Sequence, residues 1–265
     1  MIINILKDKP TKLFVILSGI FVANALIAEI IGVKIFSLEA TLGLAPTNLK
    51  IFGDVYNFSM TAGVLLWPVV FIMTDIINEY YGMKGVRFLS MMAAFLIVFA
   101  FLIFFWAIRL TPADFFVSSK VNSGVPDMDK AYQQILGQSS LIIIGSLTAF
   151  LVGQLVDVFA FHRIKKVTGE KKIWLRATGS TLISQLIDSF VVLFIAFYLG
   201  PRIYNPNGDF VWPLSLVLSV CVINYIYKFA VAILLTPVIY WIHGIIERYL
   251  GHNKAAEMKQ MAMNN

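Results

Sequence analysis

Six long apolar runs constrain this chain more than any other feature of its sequence. They cover residues 13–35, 59–81, 88–110, 140–161, 178–199 and 211–241. A helix needs about 20 mostly apolar residues to cross the hydrocarbon core of a bilayer, and each run has that length. Pro213 and Pro237 predict a kink or an interfacial extension in the last run. The sequence therefore predicts an all-α polytopic membrane protein with six transmembrane helices in one domain, residues 1–265.

The composition agrees with a membrane protein. The chain is 59% hydrophobic and 14% charged, whereas soluble domains are about 45–50% apolar and about 25% charged. The net charge of +6 could indicate nucleic-acid binding in a soluble protein. Since no basic domain lies outside the apolar runs, we expect this charge to face lipid headgroups and the cytoplasm instead. The bilayer is the expected partner, and no nucleic acid is expected.

The distribution of Lys and Arg predicts the orientation of the helices. With both termini inside, fourteen of the 21 basic residues fall in inner segments and six in outer segments, while Lys228 lies within a span. Because cytoplasmic loops carry the excess of basic residues, the N and C termini are predicted to be cytoplasmic.

Three segments outside the apolar runs lead to further structural predictions. The outer segments 36–58 and 111–139 are long and could be lids or plain connectors. The second contains "DMDKAYQQIL", which predicts a short amphipathic helix. The polar tail, residues 251–265, is expected to fray.

Cysteine and histidine patterns argue against metal and disulfide chemistry. Cys221 is the only cysteine, so a disulfide within the chain is excluded, and so is a site built from several cysteines. The three histidines are far apart, and no H-E-x-x-H motif occurs. We predict neither a metal site nor a cofactor.

The stretch "TDIINEYYG" ends the second run with polar side chains. Asp75, Asn78 and Glu79 are spaced i, i+3 and i+4, so they share one helical face. Ionisable residues inside a span are functional-site candidates because their burial must be compensated. Asp75 lies about two turns inside the membrane and is the strongest candidate. Asn78 is a helper on the same face, and Glu79 is either part of the site or an anchor at the interface.

The fourth and fifth runs carry two similar motifs. "GQLVDVF" contains Gln154 and Asp157, and "SQLIDSF" contains Gln185 and Asp188. Each motif places an amide and a carboxylate on one helical face. The fifth run adds three hydroxyl residues, Ser180, Thr181 and Ser184. This polar stripe predicts that one side of the helix faces away from lipid.

The first run has two polar residues. Asn24 lies near its middle and could either bond a neighbouring helix or contact a ligand. Glu29 lies nearer the outer end, where we expect it to reach the interface and pair with Lys34.

The sixth run carries Asn224, Tyr225 and Lys228. Lys228 is expected to pair with one of the buried aspartates, because an isolated charge is not tolerated there. Together these residues predict a polar site between the first, second, fourth, fifth and sixth helices. Fixed carboxylates and amides suit a planar heterocycle with several N–H donors, and Trp67, Phe71, Tyr80, Tyr81 and Tyr225 could stack on its ring.

Four stretches in this order resemble the queuosine precursor transporter family, also called the vitamin-uptake-like family. They are "TDIINEYYG", "GQLVDVFAFHRI", "GSTLISQLIDSFVVLFIAF" and "INYIYK". The resemblance implies a six-helix bacterial inner-membrane protein that imports 7-cyano-7-deazaguanine or 7-aminomethyl-7-deazaguanine for tRNA queuosine salvage. It also implies functional roles for the motif positions Asn24, Thr74, Asp75, Gly153, Gln154, Asp157, Arg163, Ser180, Thr181, Asp188, Tyr225 and Lys228.

Residues and resemblance together give a predicted substrate site for a nucleobase-like molecule. Its residues are Asn24, Asp75, Asn78, Gln154, Asp157, Ser180, Thr181, Gln185, Asp188, Asn224, Tyr225 and Lys228. Asp75 or Asp188 is expected to accept from the donor edge of the base, and Lys228 to hold the remaining carboxylate.

Other functions compete with secondary or facilitated transport by this chain. With no Walker A motif, ATP could drive uptake only through separate subunits, and the chain would then be the substrate-binding component of an energy-coupling complex. An intramembrane aspartyl protease would use Asp157 and Asp188, but its G-x-G-D context is missing. A purely structural role leaves several costly carboxylates unexplained. We therefore expect a transporter rather than an enzyme; whether it forms a homo-oligomer is left open.

Overall fold

The computed structural model describes residues 8–137, 140–168, 173–204 and 212–263. Within these residues, five helices are long and apolar enough to cross a membrane. The α-helices are α1 Lys9–Ile31, α2 Leu38–Thr41, α3 Trp67–Ala107, α4 Asp114–Val117, α5 Met128–Leu136, α6 Ser140–Thr168, α7 Ile173–Leu193, α8 Gly200–Tyr204, α9 Leu214–Leu250 and α10 His252–Met263. The predicted all-α polytopic membrane fold is confirmed at this level.

Helix α1 begins earlier and ends earlier than the apolar run predicts. Asp8 caps its N-terminus by accepting a hydrogen bond from the Thr11 N–H at 3.0 Å. The helix ends at Ile31 because the chain then turns into strand β1, Ile35–Ser37. Its buried residues include Leu17, Phe21 and Ala25, which pack against α3.

The outer segment between α1 and α3 contains four short strands. They are β1 Ile35–Ser37, β2 Leu49–Ile51, β3 Asp54–Tyr56 and β4 Ser59–Thr61. β1 pairs antiparallel with β4, and β2 with β3. The prediction that the second helix starts at Ser59 is therefore wrong: Ser59–Thr61 is a strand, a 3₁₀ turn follows at Ala62–Leu65, and the α-helix starts at Trp67.

Glu39 holds this outer segment together. It is buried and accepts hydrogen bonds from the Phe58 N–H at 2.9 Å and the Thr47 hydroxyl at 2.7 Å. The Ser37 hydroxyl adds a third at 3.2 Å. Burial raises the pKa of the Glu39 carboxyl, but the hydrogen bonds outweigh burial and hold the pKa at about 2. These hydrogen bonds give the segment a defined structure.

The second long outer segment contains the helix that its sequence predicts. Asp127 caps α5 by accepting from the Lys130 N–H at 2.9 Å. The amphipathic helix around "DMDKAYQQIL" is therefore confirmed.

Helix α3 is broken at Gly82, where φ is 72° and ψ is −174°. Glycine is favoured there because its backbone reaches positive φ without steric cost. The break separates a first arm, residues 67–81, from a second arm, residues 83–107. The predicted six-residue join at 82–87 is wrong, since helix continues on both sides of this one residue.

The C-terminal residues form a packed helix. Helix α10 buries Ala255, Met258, Lys259 and Ala262. The carbonyl oxygen of Ala262 lies so close to Gly82 that a Cβ there would approach it to 2.9 Å. The prediction of a frayed tail is wrong for residues 252–263, while residues 264 and 265 lie outside the described part. Burial of one face of α10 against α3 explains why a polar segment stays helical.

Helices α6 and α7 pack closely along their length. A Cβ on Gly145 would lie 3.1 Å from the carbonyl oxygen of Val192, and one on Gly153 would lie 3.5 Å from Cβ of Asp188. Small residues of this kind let membrane helices approach each other. Helix α7 continues beyond Leu193 as a π-helix, Phe194–Leu199. The apolar run predicted at 140–161 extends as helix to Thr168, and the predicted first residue of the last run, Val211, lies outside the described residues.

Large apolar side chains on the second arm of α3 face outward. Phe88, Phe95 and Leu102, spaced seven residues apart, are 61%, 68% and 54% exposed. Soluble proteins rarely expose a continuous apolar stripe of this kind. The stripe fits a surface that contacts lipid.

Candidate functional site

A cavity lies between the first arm of α3, α7 and α9. The space between its lining atoms is about 420 Å³, part of which is open to the surroundings. It is lined by Trp67, Pro68, Phe71, Ile72, Asp75, Thr178, Thr181, Gln185, Lys228, Ala232, Leu235 and Ile239. Because most of these side chains are apolar, a few polar groups decide which ligand fits.

Asp75 supplies the carboxylate of the cavity wall. Its side chain is only 2% exposed, and the Thr181 hydroxyl donates to its Oδ2 at 3.4 Å. Phe71 precedes it by one turn and lines the same cavity, as does Trp67 one turn further back. A carboxylate only accepts hydrogen bonds. This wall therefore combines aromatic faces with a strong acceptor.

Lys228 brings a cation to the cavity from α9. Its Nζ lies 2.5 Å from Oδ2 of Asp188 on α7, and the two side chains are 10% and 18% exposed. The prediction that Lys228 pairs with a membrane aspartate is confirmed, with Asp188 as the partner. Lys228 is one of the residues that line the cavity, whereas its partner Asp188 is not.

Gln185 carries an open hydrogen-bonding group on the cavity wall. Its side chain is 3% exposed, and its Nε2 has no hydrogen-bond partner among the described residues. Leaving a buried amide N–H unpaired costs free energy. A ligand or water in the cavity would satisfy it.

The Gln-Asp motif of α6, Gln154 and Asp157, ties this helix to its neighbours and lies behind the cavity. The Thr74 hydroxyl lies 2.9 Å from Oε1 of Gln154, and the Ser184 hydroxyl donates to Asp157 at 3.2 Å. Gln154, Asp157 and Ser180 are at most 2% exposed. None of the three lines the cavity. They support the wall that carries Asp75 and Thr181.

Three predicted residues lie apart from the cavity lining. Asn24 donates its amide to the Ile20 carbonyl of its own helix at 2.9 Å. Asn224 and Tyr225 are half-buried on α9, and none of the three lines the cavity. Helix α1 contributes no lining residue, although a polar site that includes the first helix was predicted. Spacing within one helix cannot show how that helix is rotated in the bundle.

A second polar cluster surrounds the end of the first arm of α3. Asn78 Oδ1 lies 2.9 Å from Nε2 of His162, and Glu79 forms an ion pair of 3.1 Å with Lys165. Glu79 is 1% exposed, so the alternative of an interface anchor is wrong. Asn78 belongs to this cluster and does not line the cavity.

The same cluster extends to α9 and α10. The Tyr80 hydroxyl lies 3.1 Å from Nδ1 of His243, and Lys259 binds Glu247 at 2.6 Å. The sequence did not predict the contacts of His162 and Lys165, because both residues stand in a basic stretch, "HRIKK", that looks like a solvated loop. One signal in the sequence did indicate that the helix continues to Thr168: apolar residues recur there at a spacing of about four positions.

Two further outcomes concern groups outside the cavity. Glu29 is buried and accepts a hydrogen bond from the Ser146 hydroxyl. The expectation that it pairs with Lys34 at the interface is wrong. Among the residues that the structure describes, no group of three or more His, Cys, Asp or Glu side chains could hold a metal ion.

A family model described as "Putative vitamin uptake transporter" matches residues 61–242, well over half of the chain. The chain belongs to this family. The resemblance seen in the four sequence stretches is thereby confirmed. The match to the vitamin uptake transporter family runs from β4 to α9 and contains every residue that lines the cavity, from Trp67 to Ile239. Helix α1 and helix α10 lie outside it.

Three relatives carry the same functional name. A "Probable queuosine precursor transporter" of Bacillus subtilis (strain 168) is 28% identical over 73% of this chain and 76% of its own length. A protein of that name from Haemophilus influenzae is 29% identical over 60% of each chain. The "Queuosine precursor transporter" of Escherichia coli (strain K12) is 24% identical over 68% of this chain and 71% of its own. No solved structure matches this vitamin uptake transporter family member.

Proposed function

We propose that this protein imports queuosine precursors, 7-cyano-7-deazaguanine or 7-aminomethyl-7-deazaguanine, across the inner membrane of a bacterium. The names of the three relatives support this substrate. The observation that carries the proposal is the Asp75 carboxylate on an otherwise mostly apolar wall with Trp67 and Phe71. A guanine-like ring presents N–H donors that a carboxylate accepts and a flat face that aromatic side chains cover.

The binding residues divide into two groups in this proposal. Asp75, Thr181, Gln185 and Lys228 contact the base directly from the cavity wall. The remaining predicted residues act from behind the wall or elsewhere along the route: Asn24, Asn78, Gln154, Asp157, Ser180, Asp188, Asn224 and Tyr225. Buried hydrogen bonds from this second group keep the wall in place.

The chain crosses the membrane six times in this proposal, as one transmembrane domain. The first arm of α3, extended by the 3₁₀ turn at Ala62–Leu65, and the second arm serve as separate spans that meet at Gly82. Helices α1, α6, α7 and α9 supply the others. Both termini are cytoplasmic, in accord with the excess of Lys and Arg in the inner segments. Glu79, Lys165 and α10 then lie near the cytoplasmic end.

Transport is secondary or facilitated and involves no catalysis by this chain. The decisive experiment is uptake of the two labelled bases into proteoliposomes that contain only this protein, at several pH values. Saturable uptake of either base, which excess unlabelled base abolishes, is the expected result. Absence of such uptake from correctly folded protein would contradict autonomous transport. Binding of the base without uptake would point to the alternative role in an energy-coupling complex.

A further inference from the structure

Two polar residues that line the cavity and one that lies beside it form a row along one face of α7. Thr181, Gln185 and Asp188 are spaced i, i+4 and i+7, so they occupy successive turns. Thr181 contacts the Asp75 carboxylate at 3.4 Å, and Asp188 contacts the Lys228 ammonium at 2.5 Å. The row therefore has an acceptor at one end and a donor at the other.

The residue in the middle of the row has a hydrogen-bond donor that is unpaired within the described part of the chain. Gln185 lies between the two ends, lines the cavity and has an amide nitrogen without a partner among the described residues. At 3% exposure it is shielded from solvent. A buried polar atom without a partner on a cavity wall indicates where a ligand's own polar edge would lie.

The ends of the row differ in what they can bind. Asp75 as a carboxylate accepts hydrogen bonds and donates none, whereas the Lys228 ammonium donates and cannot accept. Asp188 occupies one direction of the ammonium, which carries three N–H groups, and Lys228 still lines the cavity. It can therefore donate to a ligand atom without leaving Asp188.

We propose that Lys228 determines specificity by donating a hydrogen bond to a ring carbonyl of the substrate, while Asp75 accepts from the N–H groups on the same edge. The cavity then selects heterocycles with an oxo group and rejects those with an amino group at that position. This inference rests on the proposed function and adds to it the direction in which the base lies.

This specificity follows because Asp75, at one end of the row, accepts hydrogen bonds, whereas Lys228, at the other end, donates them. Thr181 and Asp188 are separated by about 10 Å along the helix axis. A ligand that reaches from Asp75 to Lys228 would pass Gln185. Gln185 lies between Thr181 and Asp188 on the helix. An amino group in place of the carbonyl would point a donor at the ammonium. Polar sites reject such mismatches strongly because both groups lose their partners.

The test compares two competitors of labelled 7-cyano-7-deazaguanine uptake into proteoliposomes. One is the unlabelled base itself, and the other is its analogue with an amino group in place of the ring carbonyl. For the unmodified protein we expect the oxo base to compete about tenfold better or more. Equal competition by the two compounds would overturn the inference.

Variants then assign the discrimination to Lys228. The double variant Lys228→Gln with Asp188→Asn removes both charges and gives the end of the row an acceptor. We expect its preference for the oxo base to fall to about threefold or less. Lys228→Arg keeps a donor and should keep the preference. Lys120→Gln, on an exposed outer segment, is the matched control.

The preference is a ratio, so a variant that folds less well lowers the uptake by the same factor with either competitor present and leaves the preference unchanged. If the double variant transports too slowly to measure, the same two compounds are compared by thermal stabilisation of the purified protein. A preference equal to that of the unmodified protein, by either readout, would overturn the role of Lys228. Absence of any deazaguanine uptake by the unmodified protein would instead contradict the proposed function.

Discussion

Glu79 and Lys165 form an ion pair of 3.1 Å with only 1% and 2% of their side chains exposed. The pair joins the first arm of α3 to α6, one turn beyond Asp75. Next to it, Asn78 joins the same two helices through His162 at 2.9 Å. The helix that carries the cavity carboxylate is therefore fixed at this end by buried polar contacts.

Glu79→Gln should strongly destabilise the protein, because it removes the carboxylate from a buried ion pair. We expect a loss of about 3–5 kcal/mol in the free energy of unfolding. Thermal or denaturant unfolding in detergent measures it.

A double variant and an exposed pair control this prediction. Glu79→Leu with Lys165→Met replaces the pair by apolar side chains and should recover most of the stability. Glu257→Gln breaks the pair with Lys254, whose side chains are 55% and 46% exposed, and should cost less than about 1 kcal/mol. Equal effects of the single changes Glu79→Gln and Glu257→Gln would contradict a special role for the buried pair.

Asp75→Asn should reduce uptake of either deazaguanine base by about tenfold or more, because the carboxylamide presents donors as well as an acceptor to the N–H edge. Initial uptake rates in proteoliposomes, normalised to the amount of folded protein, measure the effect. Asp114→Asn makes the same chemical change on an exposed residue of α4 and should leave uptake unchanged. Normal uptake by Asp75→Asn would remove Asp75 from the binding site.

Gly63→Ala should destabilise the contact between the 3₁₀ turn and the outer end of α1. The added Cβ would lie 2.5 Å from the carbonyl oxygen of Ala28, so backbone must move. We expect a loss of about 1–3 kcal/mol. Gly19→Ala is the control, since nothing lies within 4 Å of its added Cβ, and alanine favours helix by about 1 kcal/mol. Unfolding curves in detergent should separate the two variants, and equal stabilities would contradict the close approach.

The outer segment between α1 and α3 should lose stability in acid through Glu39. Hydrogen bonding holds the pKa of Glu39 at about 2, below its ordinary value of 4.5. A depressed carboxyl pKa stabilises the folded form fully above the unfolded pKa. The contribution is therefore present above about pH 4.5 and is lost as the pH falls towards 2.

Limited proteolysis of the segment between α1 and α3 measures this effect. In the unmodified protein the segment should become more susceptible between pH 4.5 and 2, with an acid-active protease. Glu39→Gln should be susceptible already at neutral pH and change less on acidification. Glu257→Gln, an exposed residue, is the control. A pH profile that Glu39→Gln leaves unaltered would assign the acid effect to another group.

The sequence by itself determined the membrane class of this protein. Apolar runs of about 20 residues are sufficient evidence for spanning helices, because a bilayer demands that length and internal backbone hydrogen bonding. It also identified the family from four short stretches, and it predicted that Lys228 pairs with an aspartate, since an isolated charge would be too costly there.

Only the tertiary structure decided which polar residues face one another. Helical spacing places Asp75, Asn78 and Glu79 on one face, yet Asp75 lines the cavity while Asn78 and Glu79 bind His162 and Lys165. One helical turn along α3 is enough to move a side chain from one set of neighbours to another. Those neighbours come from helices 80 or more residues away in sequence, and local patterns carry no record of such contacts.

The same reason explains the errors at the helix ends. Ser59–Thr61 directly precedes a long apolar run and was predicted to start its helix, but pairing with Ile35–Ser37 makes it a strand. The polar composition of the tail predicts fraying, but α10 buries one of its faces by packing beside Gly82. Composition sets what a segment can tolerate, and packing against distant residues selects the structure it adopts.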